Sequence, residues 1–192
     1  MSLQTFYTPD KIEAGCDEAG RGCIAGPVVA AAVILPKDCE IELLNDSKQL
    51  SAKKRQMLLP IIKSKAIAYA VSFVTHQRID EINILNASFE AMHLAVDQLE
   101  LKPELLLIDG NRFNPHPSIP HTCVVKGDAK FMSIAAASVL AKEARDAYMH
   151  KIHHEYPYFD WNTNMGYPTK KHKLAIKEHG ISAYHRTTFK MT

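Results

Sequence analysis

The sequence predicts an α/β fold, with a mixed central sheet flanked by helices and followed by a helical C-terminal part. Three observations lead there. Short apolar runs of strand length are separated by longer segments whose apolar residues recur at helical spacing. Strand and helix signals follow one another in mixed order, which suits a layered domain and not a barrel or a bundle. No internal repeat, low-complexity tract or long Pro/Gly/Ser linker interrupts the chain, so residues 1–192 are expected to form a single domain.

In chain order, residues 13–17, 28–35 and 66–74 read as strands. Between the last two, residues 51–65 have helical character despite Pro60. Ser51 suits the N-cap, and Met57, Leu58, Ile61 and Ile62 supply an apolar face. Residues 86–99 follow as a helix with Phe89, Met92, Leu94, Val96 and Leu99 directed inward. Residues 104–108 are nearly all apolar, as a buried central strand should be, and end at Asp109-Gly110. Residues 121–125 form a further strand that ends at Lys126-Gly127-Asp128. The longest helix, 133–154, opens with Ala135-Ala136-Ala137-Ser138, small enough for close packing. A loop rich in Pro, Gly and aromatic residues (156–168) leads to a final basic helix at 169–179.

Hydrophobic residues make up 46% of the chain and charged residues 23%, ordinary values for a globular protein. The net charge of +2 hides an uneven distribution. From Trp161 onward, Lys170, Lys171, Lys173, Lys177, Arg186 and Lys190 face the single acid Glu178, which suits a polyanionic partner. The four cysteines, Cys16, Cys23, Cys39 and Cys123, show no C-x-x-C spacing, so neither zinc nor a redox pair is indicated. Free thiols, no secretory leader and no apolar run longer than the eight residues 28–35 point to a reducing cytoplasm and exclude a membrane span.

The chemistry is carried by carboxylates. Asp17-Glu18 stands before Ala19-Gly20-Arg21-Gly22, and Asp109 and Asp128 end two other strands. Ligands of α/β sheets collect at the carboxyl ends of strands, so these acids can converge although they are distant in sequence. Four carboxylates together repel strongly unless divalent cations neutralise them, and two Mg²⁺ or Mn²⁺ ions bridged by a phosphate oxygen would do so. The Arg21 guanidinium and the glycine amides beside them suit a phosphate. Neighbouring residues of a regular strand face opposite sides, so sharing one site requires the strand to end or bulge at Glu18.

These motifs resemble the ribonuclease HII family, the type 2 ribonucleases H. The matching blocks are Asp17-Glu18-Ala19-Gly20-Arg21-Gly22, Gly26-Pro27-Val28, Asn45-Asp46-Ser47-Lys48, Ile108-Asp109-Gly110 and Lys126-Gly127-Asp128. They continue through Ser133-Ile134-Ala135-Ala136-Ala137-Ser138, Ala141-Lys142, Arg145-Asp146, Gly166-Tyr167-Pro168-Thr169 with His172, and His185-Arg186, in order over nearly the whole chain. The resemblance implies a ribonuclease H-like fold and hydrolysis of the RNA strand of RNA–DNA hybrids. It also implies nicking 5′ of ribonucleotides embedded in duplex DNA, by two-metal-ion catalysis that leaves 3′-hydroxyl and 5′-phosphate ends. It further implies that Asp17, Glu18, Asp109 and Asp128 are catalytic and hold Mg²⁺ or Mn²⁺. Gly20, Arg21 and Gly22 then sense the 2′-hydroxyl and the adjacent phosphate, and Tyr167 stacks on the following deoxyribose. Lys48 and Lys142 are candidate phosphate contacts, with ordinary surface lysines as the alternative.

Other residues are expected to be structural. Arg145-Asp146 reads as an ion pair on the helix surface, Ser138 as a packing residue, and His150, His153 and His154 as a solvated face. Trp161 reads as an anchor for the loop before Tyr167. Two rivals are ribonuclease HIII-like hybrid specificity and a non-catalytic RNA–DNA hybrid-binding module. The 16 residues before Asp17 leave no room for the extra N-terminal domain of the first, and the full set of acids weighs against the second. A monomer that acts on RNA–DNA hybrids and ribonucleotide-containing DNA is expected.

Overall fold

The computed structural model describes residues 3–44 and 50–191, so Lys48 lies outside the described residues. Among the described residues, five strands form one sheet: β1 (Glu13–Ala19), β2 (Val28–Ile34), β3 (Ala68–Val74), β4 (Leu105–Asp109) and β5 (His121–Val124), in the order β3-β2-β1-β4-β5. β1 pairs antiparallel with β2, and β2 with β3, whereas β1–β4 and β4–β5 are parallel, so the sheet is mixed as expected. The helices are α1 (Ala52–Lys65), α2 (His76–Asp97), α3 (Met132–His153), α4 (Trp161–Asn164) and α5 (Lys170–His179).

Strand alternation divides the core into two layers. Val28, Ala30, Ala32 and Ile34 of β2 join Ala14 and Cys16 of β1 beneath Ala87, Ala91, Met92 and Val96 of α2. Ala31 and Val33 face the other way, onto α1 and α3. Every residue of β2 is buried because both faces are covered, which is why the run is apolar without alternation. Gly15 shows how close α3 lies. A Cβ there would stand 2.3 Å from the Ser133 carbonyl carbon, and Ala135, Ala136 and Ala137 that follow are fully buried.

Three expectations need correction. Leu58 and Ile62 of α1 are buried, but Met57 and Ile61 are 58% and 41% exposed, so the inward stripe is one i, i+4 row wide. Leu94 is exposed as well, since it lies five residues beyond Phe89 and off the face shared by Phe89, Met92 and Val96. Helix α2 begins ten residues earlier than the sequence pattern indicated, at His76, with the Thr75 hydroxyl accepting from the Arg78 N–H. It then breaks at Asn83, whose φ is 67° and whose side-chain oxygen accepts from the N–H groups of Leu85 and Asn86. The expected start at residue 86 is this internal recapping, a role that suits asparagine.

After α3, the chain folds back around Trp161, which is fully buried among Phe159, Met149, Ile152 and Ala175. The ring stacks on Phe159 with centroids 5.0 Å apart. Trp161 is the anchor it was expected to be. Among the described residues, no helix is long and apolar enough to cross a membrane.

Candidate active site

The sheet register assembles the acids. Cys16 of β1 pairs with Ile108 of β4, so the next residues, Asp17 and Asp109, end up beside each other toward the carboxyl ends of two parallel strands. Both follow, by two residues, positions that face α3: Gly15 on β1, where α3 packs directly on the backbone, and Leu107 on β4. Asp128 arrives in a 3₁₀ turn, Gly127–Ala129, directly after β5, entered through Lys126 in the left-handed conformation (φ 56°). The turn is tied to the site by the Gly127 N–H, which donates to Asp109 Oδ1 at 2.7 Å. Carboxylate oxygens of Asp17, Asp109 and Asp128 all lie within 4.8 Å of one another.

That crowding has an electrostatic consequence. Burial pushes the Asp17 carboxyl well above the ordinary range, and the charges of Glu18 and Asp109 push it further. Hydrogen bonds from the Ser138 hydroxyl and the Glu18 N–H oppose the shift without cancelling it. Ser138, expected only to pack, also orients Asp17. Three buried or half-buried acids at this spacing form a hard oxygen donor set that a divalent cation would neutralise.

Glu18 arrives differently from the expected route. β1 neither ends nor bulges at Glu18: Asp17, Glu18 and Ala19 pair in unbroken register with Ala31, Ala30 and Val29. Glu18 therefore faces the opposite side of the strand from Asp17 and is not among the three acids within 4.8 Å. Because the sheet stops there, Glu18 still borders the site. It lines, with Arg21 and Asp109, both a cleft of about 410 Å³ on the α3 side and one of about 330 Å³ on the α2 side. Its carboxylate pairs with Arg21 at 3.1 Å.

The larger cleft also collects Gly20, Gly22, Arg55, Ser138, Lys142, Arg145 and Tyr167. Tyr167 is 43% exposed, and a Cβ on Gly22 would meet its ring at 3.6 Å, so this aromatic and the Gly20–Gly22 turn form facing walls. Lys142 reaches the cleft but is held by Asp146 at 2.6 Å. Arg145 is not the surface partner of Asp146. It is buried, and its guanidinium donates to the carbonyls of Pro27 (3.0 Å), Met165 (2.8 Å) and Ala25 (3.0 Å). Arg186 is buried beside it and donates to Gly20, Arg21, Gly26 and Pro27 carbonyls. Asp146 instead pairs with Arg55.

Arg55, Arg145 and Arg186 are the residues that sequence reasoning misjudged or passed over. Arg55 sits in the lysine-rich α1, and Arg186 reads in sequence as part of the basic C-terminal patch. The available signal was the flanking pattern, since Arg145 follows a long small-residue helix start whose face is wholly inward.

Behind Tyr167 lies a second polar cluster. His172 and His185 are buried with their Nε2 atoms 3.1 Å apart, and His172 also accepts from the Trp161 indole N–H at 3.0 Å. Burial holds both imidazoles below the usual histidine range, His185 at about 4 with the neighbouring His172 adding to the shift. A histidine kept neutral in the fold contributes stability that is complete above an unfolded value of about 6.5 and is lost as pH falls toward the folded value. The urea midpoint should therefore fall steadily between pH 7 and pH 4.5, with His185 alone accounting for roughly 2–3 kcal/mol at the acid end. A midpoint flat across that range would show that the pair is not held neutral.

Comparison with known proteins completes the description of the site. Residues 14–192 match the sequence profile of the family described as Ribonuclease HII. A Ribonuclease HII of Bacteroides thetaiotaomicron is 64% identical over 189 residues, covering 98% of this chain and 94% of that protein. The ribonuclease H2 of Pyrococcus horikoshii, a solved structure, is 28% identical and superposes with a TM-score of 0.77 over 93% of this chain and 94% of its own. The Mn²⁺ complex of Bst-RNase HIII superposes at 0.71 over 94% of this chain and 68% of its own. At 18% identity, that last likeness bears on the fold alone. With the ribonuclease H architecture, the gathered aspartates and a profile match over nearly its whole length, this chain belongs to the ribonuclease HII family and is a nuclease of the ribonuclease H class.

Proposed function

We propose that this protein is a single-domain endoribonuclease that cuts the RNA strand of RNA–DNA hybrids and nicks duplex DNA 5′ of an embedded ribonucleotide, leaving 3′-hydroxyl and 5′-phosphate ends. The observation that carries the reading is one cleft in which Asp109, gathered with Asp17 and Asp128, faces the Gly20–Gly22 turn and Tyr167. A duplex lying in that cleft meets acids on one side and, on the other, a glycine turn with an exposed aromatic ring beside it.

Asp17, Asp109 and Asp128 would hold Mg²⁺ or Mn²⁺, with Glu18 the fourth acid at the border. When bound there, two such ions supply Lewis-acid activation of a water and charge stabilisation at the phosphodiester. The chain's own residues do the rest. Ser138 and the Glu18 amide fix the Asp17 carboxylate, and the Gly127 amide fixes Asp109, so the donor set is organised before substrate arrives. Gly22 brings backbone within reach of a 2′-hydroxyl, where a side chain would hold the ribose away, and Gly20 makes the turn possible, with φ +101° and no room for a Cβ, which would stand 2.1 Å from Arg145 Nε. Arg21, half exposed, is free to exchange Glu18 for a phosphate oxygen. Tyr167 offers its exposed ring face to the sugar that follows. Lys48 is proposed as a further phosphate contact.

Two substrates test this: a DNA duplex with a single ribonucleotide and a long RNA–DNA hybrid, each with Mg²⁺ or Mn²⁺. Cleavage 5′ of the lone ribonucleotide is expected, and an uncut strand with folded protein would sink the nicking reading. Tyr167→Ala should slow that nick by roughly 10–100-fold, the scale of one lost stacking contact, while moving Tm by only a few degrees. A Tm loss as large as the activity loss would recast Tyr167 as a core residue.

A further inference from the structure

The hydrogen bonds around His172 run in one direction. The Trp161 indole N–H can only donate, and it donates to His172 Nε2. Nε2 is therefore the acceptor nitrogen, and the ring proton sits on Nδ1, 2.9 Å from the carbonyl oxygen of Tyr167. His185 is fixed in the same way: its Nδ1 accepts from the Ser182 N–H at 2.9 Å, so its proton is on Nε2 and points at His172 Nε2. Two N–H groups thus converge on one side of the His172 ring, and a single N–H leaves from the other. The two share the one lone pair of Nε2 in a three-centre bond, which polarises the imidazole and strengthens that outgoing donor.

The outgoing bond ends on the residue whose ring lines the cleft. Tyr167 is held on both sides of its Cα, its N–H by the Asn164 carbonyl at 2.9 Å and its carbonyl by His172 and by the Thr169 N–H at 2.8 Å. The residue before it, Gly166, has φ +81° and is held as well, its N–H by Asn164 Oδ1 at 2.8 Å and its carbonyl by the Ile24 N–H at 2.9 Å, so the backbone is tied continuously up to the Tyr167 carbonyl. A core with no task beyond packing would gain from apolar rings here, since three buried polar rings cost desolvation.

We propose that His172 is a positioning residue, whose Nδ1–H holds the Tyr167 carbonyl and thereby fixes the aromatic ring at the cleft wall opposite Gly22. The inference rests on the reading of Tyr167 as the substrate-facing aromatic.

Its test is a double-mutant cycle on single-turnover nicking of the single-ribonucleotide duplex, with circular dichroism confirming folded protein. His172→Asn carries an amide N–H near the position of Nδ1, within reach of the Tyr167 carbonyl. His172→Gln carries its amide near the position of Nε2, beside Trp161, and leaves that carbonyl without this donor. His172→Gln should lower kcat/KM about tenfold, the scale of one hydrogen bond, and His172→Asn should stay within about threefold of the parent. In a Tyr167→Ala background His172→Gln should cost less than about twofold further. Equal damage from both His172 substitutions, or an undiminished cost without the Tyr167 ring, would overturn the positioning role. If Tyr167→Ala leaves the rate unchanged, the reading of Tyr167 itself fails, a result distinct from either. One measurement needs no variant: ¹⁵N-detected NMR of the native protein should show the His172 proton on Nδ1 and slow to exchange. A proton on Nε2 would refute the proposal even if every variant misfolded.

Discussion

Asp17→Asn should abolish nicking and at the same time raise the melting temperature of the metal-free protein. The two effects have one cause. Asp17 is buried, and its carboxylate lies within 4.8 Å of those of Asp109 and Asp128, with Glu18 adjacent. An amide of the same shape keeps Oδ1 as acceptor for the Glu18 N–H, and the Ser138 hydroxyl can rotate to suit it. What is lost is one negative charge among several. Relieving like-charge repulsion at this spacing should stabilise the fold by about 1–2 kcal/mol, or roughly 3–6 °C for a chain of this size. The same charge is what a divalent cation would be held by, so cleavage should fall by at least ~10³-fold while duplex binding persists. Adding Mg²⁺ or Mn²⁺ should raise the Tm of the parent by mass action and that of the variant far less. Cleavage at the parent rate would remove Asp17 from the metal site, and a Tm that falls sharply would show that the carboxylate stabilises the fold instead of straining it.

The strands and the acids were legible in the sequence because both signals are local. An apolar run ending in an acid is readable without knowing its neighbours, and all five strands were identified within two residues at either end. The convergence of Asp17 with Asp109 was inferred from strand ends and is realised by the register of β1 against β4. Glu18 was harder. Alternation requires the strand to end or bulge at Glu18 if both acids are to share one site, whereas the strand stays regular through Ala19 and the site wraps around its end. The buried arginines were the largest omission. A guanidinium that binds carbonyls has no carboxylate partner to betray it in sequence, and the carbonyls that receive Arg186 lie about 160 residues away. The first half of α2 was missed because its N-cap, Thr75, directly follows a strand and its apolar residues are sparse.

Arg186→Lys should be among the most damaging conservative substitutions in the molecule. The guanidinium donates through Nε to Gly26 (3.0 Å), through Nη1 to Arg21 (3.1 Å), and through Nη2 to Gly20 (2.8 Å) and Pro27 (3.1 Å). Burial pushes it down to about 10, which leaves it charged at neutral pH. Two of those acceptors belong to consecutive peptide units of the candidate ribose-reading turn. A trans peptide sets its N–H opposite its C=O, and no peptide bond among the described residues is cis. With the Gly20 and Arg21 carbonyls drawn to Arg186, the Arg21 and Gly22 N–H groups are turned away from it, and the bonded cation makes them better donors. An ammonium keeps the charge but cannot span four acceptors arranged for a planar fork, so at least two carbonyls lose a donor. The expected cost is about 2–4 kcal/mol of stability and roughly 10²-fold in nicking, the second because a turn displaced by an ångström no longer meets the substrate. Arg78→Lys, at an exposed arginine paired with Glu81 and Glu90, should stay within about 0.5 kcal/mol of the parent and serves as the comparison. The decisive measurement is nicking well below the variant's Tm, where folded protein predominates. A full rate there would mean that Arg186 only stabilises, whereas a rate that stays low at every temperature ties the buried fork to the direction of two amide protons in the cleft.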